Sequence, residues 1–495
     1  MNKERKKFRL PPMIRWGGSA IVICALLLMS TFAIRFCLGL FVVGEKYILS
    51  DPDTVTINVP QEDGEAMEIA ATEPAAEDTV RRATILTTGD LMMHMPIVRS
   101  GQKDGAYNFE YIYSYIKDYV KAADYAVVNL ETTLSGEEGR TYTGYPKFNS
   151  PDAVAAGAKS AGFDMMITAN DHCYDYGTSG LLRTLDVVKK AGLDTLGTHS
   201  KLDEQKYVVK ELGGIKVGMI NYTFADIKDD PSRPTLNELP TDSAAAGLIN
   251  AFDYDMLDVF YTEVENQIAA MKAAGAEAFV LFIHWGNEYT AKVTEQQKAI
   301  AQKMCDLGVD VIAGSNPHVV QTMDLLQSKV DENHKTVVVY SMGNFLSNQR
   351  ADNISLSTGQ SEDSILFSFT FVSYGGKVEV ESVQILPTWV LIRGSGDGRT
   401  YHILPLDEKV TDWTAAYELN ASQAGDAKKS LNRTMDTIGE KYKQVQKTVE
   451  ARAQERAQEL PLVTEPPATE AQEEEYLEPD VMVTEPVDEF PEGVG

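Results

Sequence analysis

Short runs of β-branched and apolar residues punctuate the middle of this 495-residue chain, at Thr84–Thr88, Ala126–Leu130, Met165–Thr168, Val280–Ile283, Val309–Ala313 and Thr336–Tyr340. Between them, apolar positions recur at helical spacing over Tyr107–Ala122, Pro151–Ser160, Ser179–Lys190, Tyr254–Ala274 and Glu295–Asp306. Repeated alternation of the two periods predicts a layered α/β core. Two stretches read instead as β-hairpins: Tyr207–Leu212 and Lys216–Tyr222 flank Gly213-Gly214, while Leu366–Val372 and Val378–Leu386 flank Gly375-Gly376. Hairpins mixed with βα units predict two packed mixed β-sheets flanked by helices, not one parallel sheet. This domain is expected over residues 83–410. The segment 411–460 is polar and helix-prone; it could pack on the core or mediate contacts, and its charge-rich pattern favours a solvated helix. No internal repeat is visible.

The two ends differ from this middle. Residues 1–16 carry Lys3, Arg5, Lys6, Lys7, Arg9 and Arg15, and the run Gly17–Ile34 then holds no charge. After Arg35 the stretch Phe36–Val43 is apolar again. The first run is long enough to cross a hydrocarbon core of about 30 Å as a helix. A cleaved signal peptide would have a shorter apolar region and a small-x-small site, so the pattern favours a retained signal anchor over 17–43. The basic flank predicts a cytoplasmic amino terminus, with the main domain extracellular on a single-pass anchor. Residues 44–82 and 461–495 are acidic, poor in large apolar residues, and expected as a disordered stalk and tail.

Charge and cysteine content narrow the function. The net charge is −28, and neither 51–80 nor 461–495 contains a single Lys or Arg. Such a surface argues against nucleic acid, which needs positive charge to displace counterions. The four cysteines form no CxxC motif, which disfavours zinc ribbons, redox motifs and disulfide scaffolds. There is no Gly-rich ATP loop ending in Lys-Ser/Thr and no Gly-x-Ser-x-Gly elbow.

Chemistry-bearing residues gather where the predicted strands end. They are Gly89-Asp90, Asn129-Leu130-Glu131, Asn170-Asp171-His172, His284-Trp285-Gly286-Asn287-Glu288 and Gly314-Ser315-Asn316-Pro317-His318. In open α/β sheets the carboxyl ends of strands line the ligand crevice. Taken singly, each has a plain explanation as a turn, a helix cap or a satisfied histidine. As an array they form a carboxylate and imidazole set suited to Mn, Fe or Zn. Of the seven histidines, His94, His172, His284 and His318 follow predicted strands, whereas His199, His334 and His402 read as structural or surface residues.

That ordered set, with Asp175-Tyr176-Gly177, His318-Val319-Val320-Gln321 and Tyr340-Ser341-Met342-Gly343-Asn344-Phe345, resembles the bacterial capsule synthesis protein CapA family. The resemblance spans about residues 83–392. It implies a metallophosphatase-like (calcineurin-like) domain in poly-γ-glutamate capsule biosynthesis. It further implies one or two divalent transition ions held by Asp90, Glu131, Asp171, His284 and His318, with His172 as proton donor or anion stabiliser. The cell membrane, the capsule polymer and membrane subunits of a polymer synthase are the implied partners. Three departures stand out: Asp90 is followed by Met92 and only later by His94, Asn316 occupies a common histidine position, and Asp171 replaces an asparagine. Fewer imidazoles imply a weaker or mononuclear site. An envelope phosphoesterase and a non-catalytic polymer-binding module remain as alternatives to a capsule-assembly role.

Overall fold

The structure, a computed structural model, describes residues 80–459 apart from 228 and 229. The expected anchor over 17–43, most of the stalk and the acidic tail lie outside the described residues. Among those described, no helix is long and apolar enough to cross a membrane.

The strands of the two large sheets are β1 (Arg81–Leu91), β2 (Tyr125–Leu130), β3 (Met165–Ile167), β4 (Asp194–Leu196), β5 (Val208–Leu212), β6 (Ile215–Phe224) and β7 (Ala251–Phe252) in the first half. The second half supplies β8 (Ala278–His284), β9 (Val311–Ser315), β10 (Met323–Gln327), β11 (Lys335–Val339), β12 (Asp363–Tyr374), β13 (Lys377–Arg393) and β14 (Thr400–Pro405). The longer helices are α1 (Ala153–Ala161), α2 (Gly177–Lys190), α3 (Leu257–Ala273), α4 (Glu295–Leu307) and α5 (Ala421–Glu459).

One sheet runs β14-β13-β12-β1-β2-β3-β4, and the other runs β7-β6-β8-β9-β11-β10 with β5 paired to β6. Strands β1 to β4 are parallel, as are β7, β6, β8, β9 and β11, while the hairpin strands are antiparallel. Both sheets are therefore mixed, as expected. The parallel strands are covered on both faces, which explains why Ala278–His284 is buried at every position.

One apolar cluster lies between the sheets, drawing Ile85, Val127 and Phe367 from the first and Met219, Val280 and Val339 from the second. The outer faces are covered by helices. Val154 and Ala158 of α1 pack on the first sheet, while Val264 of α3 and Ile300 of α4 pack on the second.

Two expectations are corrected. The helix expected over Tyr107–Ala122 is broken into a 3₁₀ turn, Glu110–Tyr113, and a short helix, Lys117–Lys121. Its aromatic and β-branched content lowers helix propensity, and Tyr113 turns inward to pack against Phe163 and Phe345. The helix expected to be solvated, α5, instead packs on the body. Leu431, Ile438, Val445 and Val449 recur three or four residues apart or at multiples of that spacing, and all are buried. The many charges between them hide this stripe. The helix also reaches both sheets, through Lys441 to Asp324 of β10 (3.0 Å) and Arg452 to Glu379 of β13 (3.5 Å). Strand β14, not assigned from sequence, pairs with β13 and buries Tyr401 and Ile403.

Two glycines bring the site loops together. A Cβ on Gly89 would sit 1.8 Å from the Gly343 carbonyl oxygen, and one on Gly314 would sit 2.0 Å from that of Tyr340. Any side chain at either place would push a ligand-bearing strand away from its neighbour.

Because Ile438 sits fully buried in the cluster between the sheets, Ile438→Ala should cost about 2–5 kcal/mol. Urea unfolding followed by circular dichroism should show one transition at lower midpoint, since helix and sheets share that core. A variant as stable as wild type would show that α5 is not part of the core.

Candidate metal centre

The site is built from strand ends of both sheets. Asp90 lies near the end of β1, where the register against β2 shifts between Thr88 and Asp90, an irregularity of the kind that re-aims a side chain. Glu131 follows β2 directly, Asp171 follows β3 after a short loop, and His284 closes β8. His318 sits in the loop after β9 with φ +56°, and Asn316 in the same loop has φ +91°. A left-handed conformation at two non-glycine residues costs energy and persists only where surrounding contacts enforce it. Here the Asn316 amide donates to the carbonyls of Trp285 (3.2 Å) and Gly286 (3.0 Å). Asn316 thus ties the two histidine-bearing loops together, whereas the sequence alone marked it only as a missing imidazole.

All five expected ligands converge. Asp90, Glu131 and His318 form one group whose donor atoms lie within 4.8 Å of one another, and Glu131, Asp171 and His284 form a second. Glu131 belongs to both. His318 Nδ1 is 3.2 Å from Asp90 Oδ2, its Nε2 is 3.6 Å from Glu131 Oε1, and His284 Nε2 is 3.0 Å from Asp171 Oδ1.

A layer of amides orients them. Asn129 Nδ2 donates to Asp90 Oδ1 (2.9 Å) and Glu131 Oε2 (3.1 Å). Asn170 Nδ2 in turn donates to Asn129 Oδ1 (3.0 Å) and the Leu130 carbonyl (2.9 Å). Ser315 Oγ lies 2.9 Å from His284 Nδ1, and Asn344 Oδ1 lies 3.1 Å from His318 Nδ1. Partners of this kind fix which imidazole nitrogen faces a metal.

The electrostatics point to a cation. Burial, with Asp90 and Asp171 close by, holds the Glu131 carboxyl well above the usual carboxylate range. Burial also acts on Asp90 and Asp171, but the neighbouring imidazoles outweigh it and keep both carboxyls below that range. Buried Glu131 Oε1 and Asn170 Oδ1 have no hydrogen-bond donor within reach. An orphaned carboxylate oxygen among other buried carboxylates is costly unless a cation compensates it. The residues therefore fit a divalent ion with oxygen and nitrogen ligands.

His172 belongs to neither group. Its Nδ1 lies 2.7 Å from Asp175 Oδ2, which also accepts the Phe148 amide at 2.6 Å. The ring stands edge-on to Phe148 with centroids 4.6 Å apart, and Nε2 is turned toward Asp171 Oδ2 at 3.6 Å. Burial alone would favour the neutral ring, but Asp171 and Asp175 prevail and raise its pKa to about 9. It does not cap α2, whose amino terminus has no side-chain cap.

Sequence reasoning did not assign roles to Asp175, Asn344 or Ser315, although all three lie in the quoted motifs. Of the remaining histidines, His199 bonds Asn250, His334 bonds the Val309 carbonyl, and His402 packs on Tyr111. His94 stays outside both groups, accepts the Asn348 amide at 3.3 Å, and packs on the other contact of His172, Phe148.

The family model for bacterial capsule synthesis protein PGA_cap matches residues 84–349. The chain belongs to this family. Every residue of both ligand groups, together with His172 and Asp175, lies inside the PGA_cap match, whereas α5 lies outside it. The chain is similar to the capsule biosynthesis protein CapA of Bacillus anthracis, 26% identical over 289 residues, covering 56% of this chain and 63% of that protein. The shared region thus spans less than two thirds of that relative. It is also similar to the PGA biosynthesis protein CapA of Bacillus subtilis, 25% identical over 305 residues, covering 60% and 70% respectively. A crystal structure of the calcineurin-like phosphoesterase YfkN from Bacillus subtilis aligns with 16% identity and a TM-score of 0.35, over 62% of this chain and 91% of that one.

Two measurements follow from this PGA_cap site. Because Glu131 is common to both groups, Glu131→Gln should deplete metal further than His284→Ala, which touches one group only. Elemental analysis of the purified proteins checks this, and equal, undiminished content in both would remove the site. The second concerns acid. Burial pushes the His94 imidazole down to about 4 from 6.5, so its contribution to stability is complete above about 6.5 and lost as pH falls toward 4. Unfolding free energy of His94→Phe should therefore fall less steeply than wild type over that window. Parallel curves would show that His94 takes no part.

Proposed function

We propose that the protein works outside the cell, anchored through residues 17–43, in the assembly or export of an anionic capsule polymer such as poly-γ-glutamate. Its metal centre, in this reading, hydrolyses a phosphoester of an envelope substrate. Asp90, Glu131, Asp171, His284 and His318 would hold one or two ions of Mn, Fe or Zn, with Glu131 common to both groups of ligands. Divalent ions so held would polarise a phosphoryl oxygen and lower the pKa of water.

The observation that carries the catalytic reading is the His172–Asp175 pair. A site that only binds polymer has no need of a buried imidazole kept apart from the ligands. The Asp175 carboxylate accepts a hydrogen bond from Nδ1–H at 2.7 Å, which fixes the ring and leaves Nε2–H facing the ligand cluster. From there His172 can give its proton to the leaving oxygen, and Asp175 stabilises the ring before transfer.

His172→Ala should keep metal content near wild type while phosphoester cleavage falls by roughly 10²–10⁴-fold. A folded, metal-loaded and fully active variant would remove His172 from catalysis, whereas metal-loaded wild type that cleaves no phosphoester would transfer the case to the polymer-binding reading. The intact protein should sediment with membranes, and protease added to protoplasts should digest the body while sparing residues 1–16. Recovery of full-length protein from cytosol would overturn the topology.

A further inference from the structure

We propose that Arg433 of α5, outside the PGA_cap match, is a positioning residue for the metal centre; this rests on the metal-site reading above. The connection is short and runs through hydrogen bonds. Arg433 grips the Asp363 carboxylate in a fork, Nε to Oδ2 at 2.9 Å and Nη2 to Oδ1 at 2.7 Å. Ser430, one turn earlier, adds its Oγ to Oδ1 at 2.6 Å. Asp363 is 2% exposed, so its place is set by these partners and not by water.

The main chain of Asp363 carries the constraint onward. Its carbonyl oxygen accepts the Asn344 amide at 3.2 Å. It also presses on Gly343, where an added Cβ would come within 2.5 Å of it. Gly343 has φ +74°, so this turn admits no side chain and follows wherever Asp363 is held. The turn then reaches two of the five ligands. The Gly343 carbonyl accepts the Asp90 amide at 3.0 Å, the Leu346 amide donates to the Asp90 carbonyl at 3.0 Å, and Asn344 Oδ1 stands 3.1 Å from His318 Nδ1. Asn344 Nδ2 is held in turn by Gln349 Oε1 and the Ser361 carbonyl, each at 2.9 Å. The nearby cation Arg350 is committed elsewhere, to Glu362 and the Val390 carbonyl. The fork on Asp363 therefore comes from α5.

Removing Arg433 alone would strand a buried carboxylate, which is strongly destabilising. The test accordingly uses the full-length double variant Arg433→Met with Asp363→Asn, which removes both charges, and the single variant Arg433→Lys, which keeps the charge but loses the fork. Zinc affinity should fall about 10–100-fold in the double variant, the range seen when an outer partner of a metal ligand is lost. Arg433→Lys should lie between it and wild type. The visible absorption bands of the cobalt-loaded protein should shift in both variants, a change that loosened packing elsewhere would not produce. The control is the double variant Arg452→Met with Glu379→Gln: it releases α5 from Glu379 without stranding that buried carboxylate, leaves Asp363 held, and should keep affinity and spectrum as in wild type. Wild-type affinity and spectrum in Arg433→Lys and in the folded Arg433→Met/Asp363→Asn variant would overturn the proposal, as would an equal effect of the Arg452→Met/Glu379→Gln control. Should wild type itself bind neither zinc nor cobalt, it is the metal-site reading that falls, and this proposal with it.

Discussion

Three carboxylates, the buried Asp90 and Glu131 and the partly exposed Asp171, are brought together with two imidazoles. Like charges in a medium of low polarity repel strongly, so an assembly of this kind persists only where dipoles, protons or a cation offset it. Asn129 supplies some of that offset by donating N–H to Asp90 and Glu131, and Asn170 holds Asn129 in place by donating to its side-chain oxygen. The rest falls to the imidazoles and to whatever ion binds. Much of the surrounding architecture can be understood as the scaffolding that keeps these groups in place.

That scaffolding is a matter of close approach. Gly89 lets β1 lie against the Gly343 turn, and Gly314 lets β9 pass the Tyr340 carbonyl. The loop after β9 is held in a left-handed conformation at both Asn316 and His318, with the Asn316 amide fastening it to the end of β8. Each device is local, yet together they fix side chains that are far apart along the chain. Asp90 and His318 are separated by 228 residues and meet at 3.2 Å.

The fold and the coming together of the five candidate residues were legible because they rest on strong local signals. Short β-branched and apolar runs found most strands, polar residues at their ends marked a wider set, and the resemblance to the CapA family picked out Asp90, Glu131, Asp171, His284 and His318 from it. What stayed hidden depended on contacts distant in sequence. Asp175 lies only three residues after His172, but its meaning comes from the Phe148 amide that shares its carboxylate. Asn344 is recognisable as a site residue only once β9 and the Gly343 turn are adjacent. The stripe on α5 was masked by charged neighbours, and in Tyr107–Ala122 inward packing of Tyr113 overrode a helical pattern. Asn316 looked like a lost ligand, whereas its amide is what holds the loop.

Because Asp90, Glu131 and Asp171 come from one sheet and His284 and His318 from the other, no donor set of either group exists until the two sheets have docked. An ion held by these residues would therefore enter late, after the polypeptide has acquired most of its tertiary structure, and would add to the cohesion of the sandwich. First-row metals compete for such sites in an order set mainly by the ions themselves. Within what the ligand set and its geometry allow, the ion captured would then depend on the supply at the place and moment of docking, so the metal found in the protein would report the compartment in which its folding is completed.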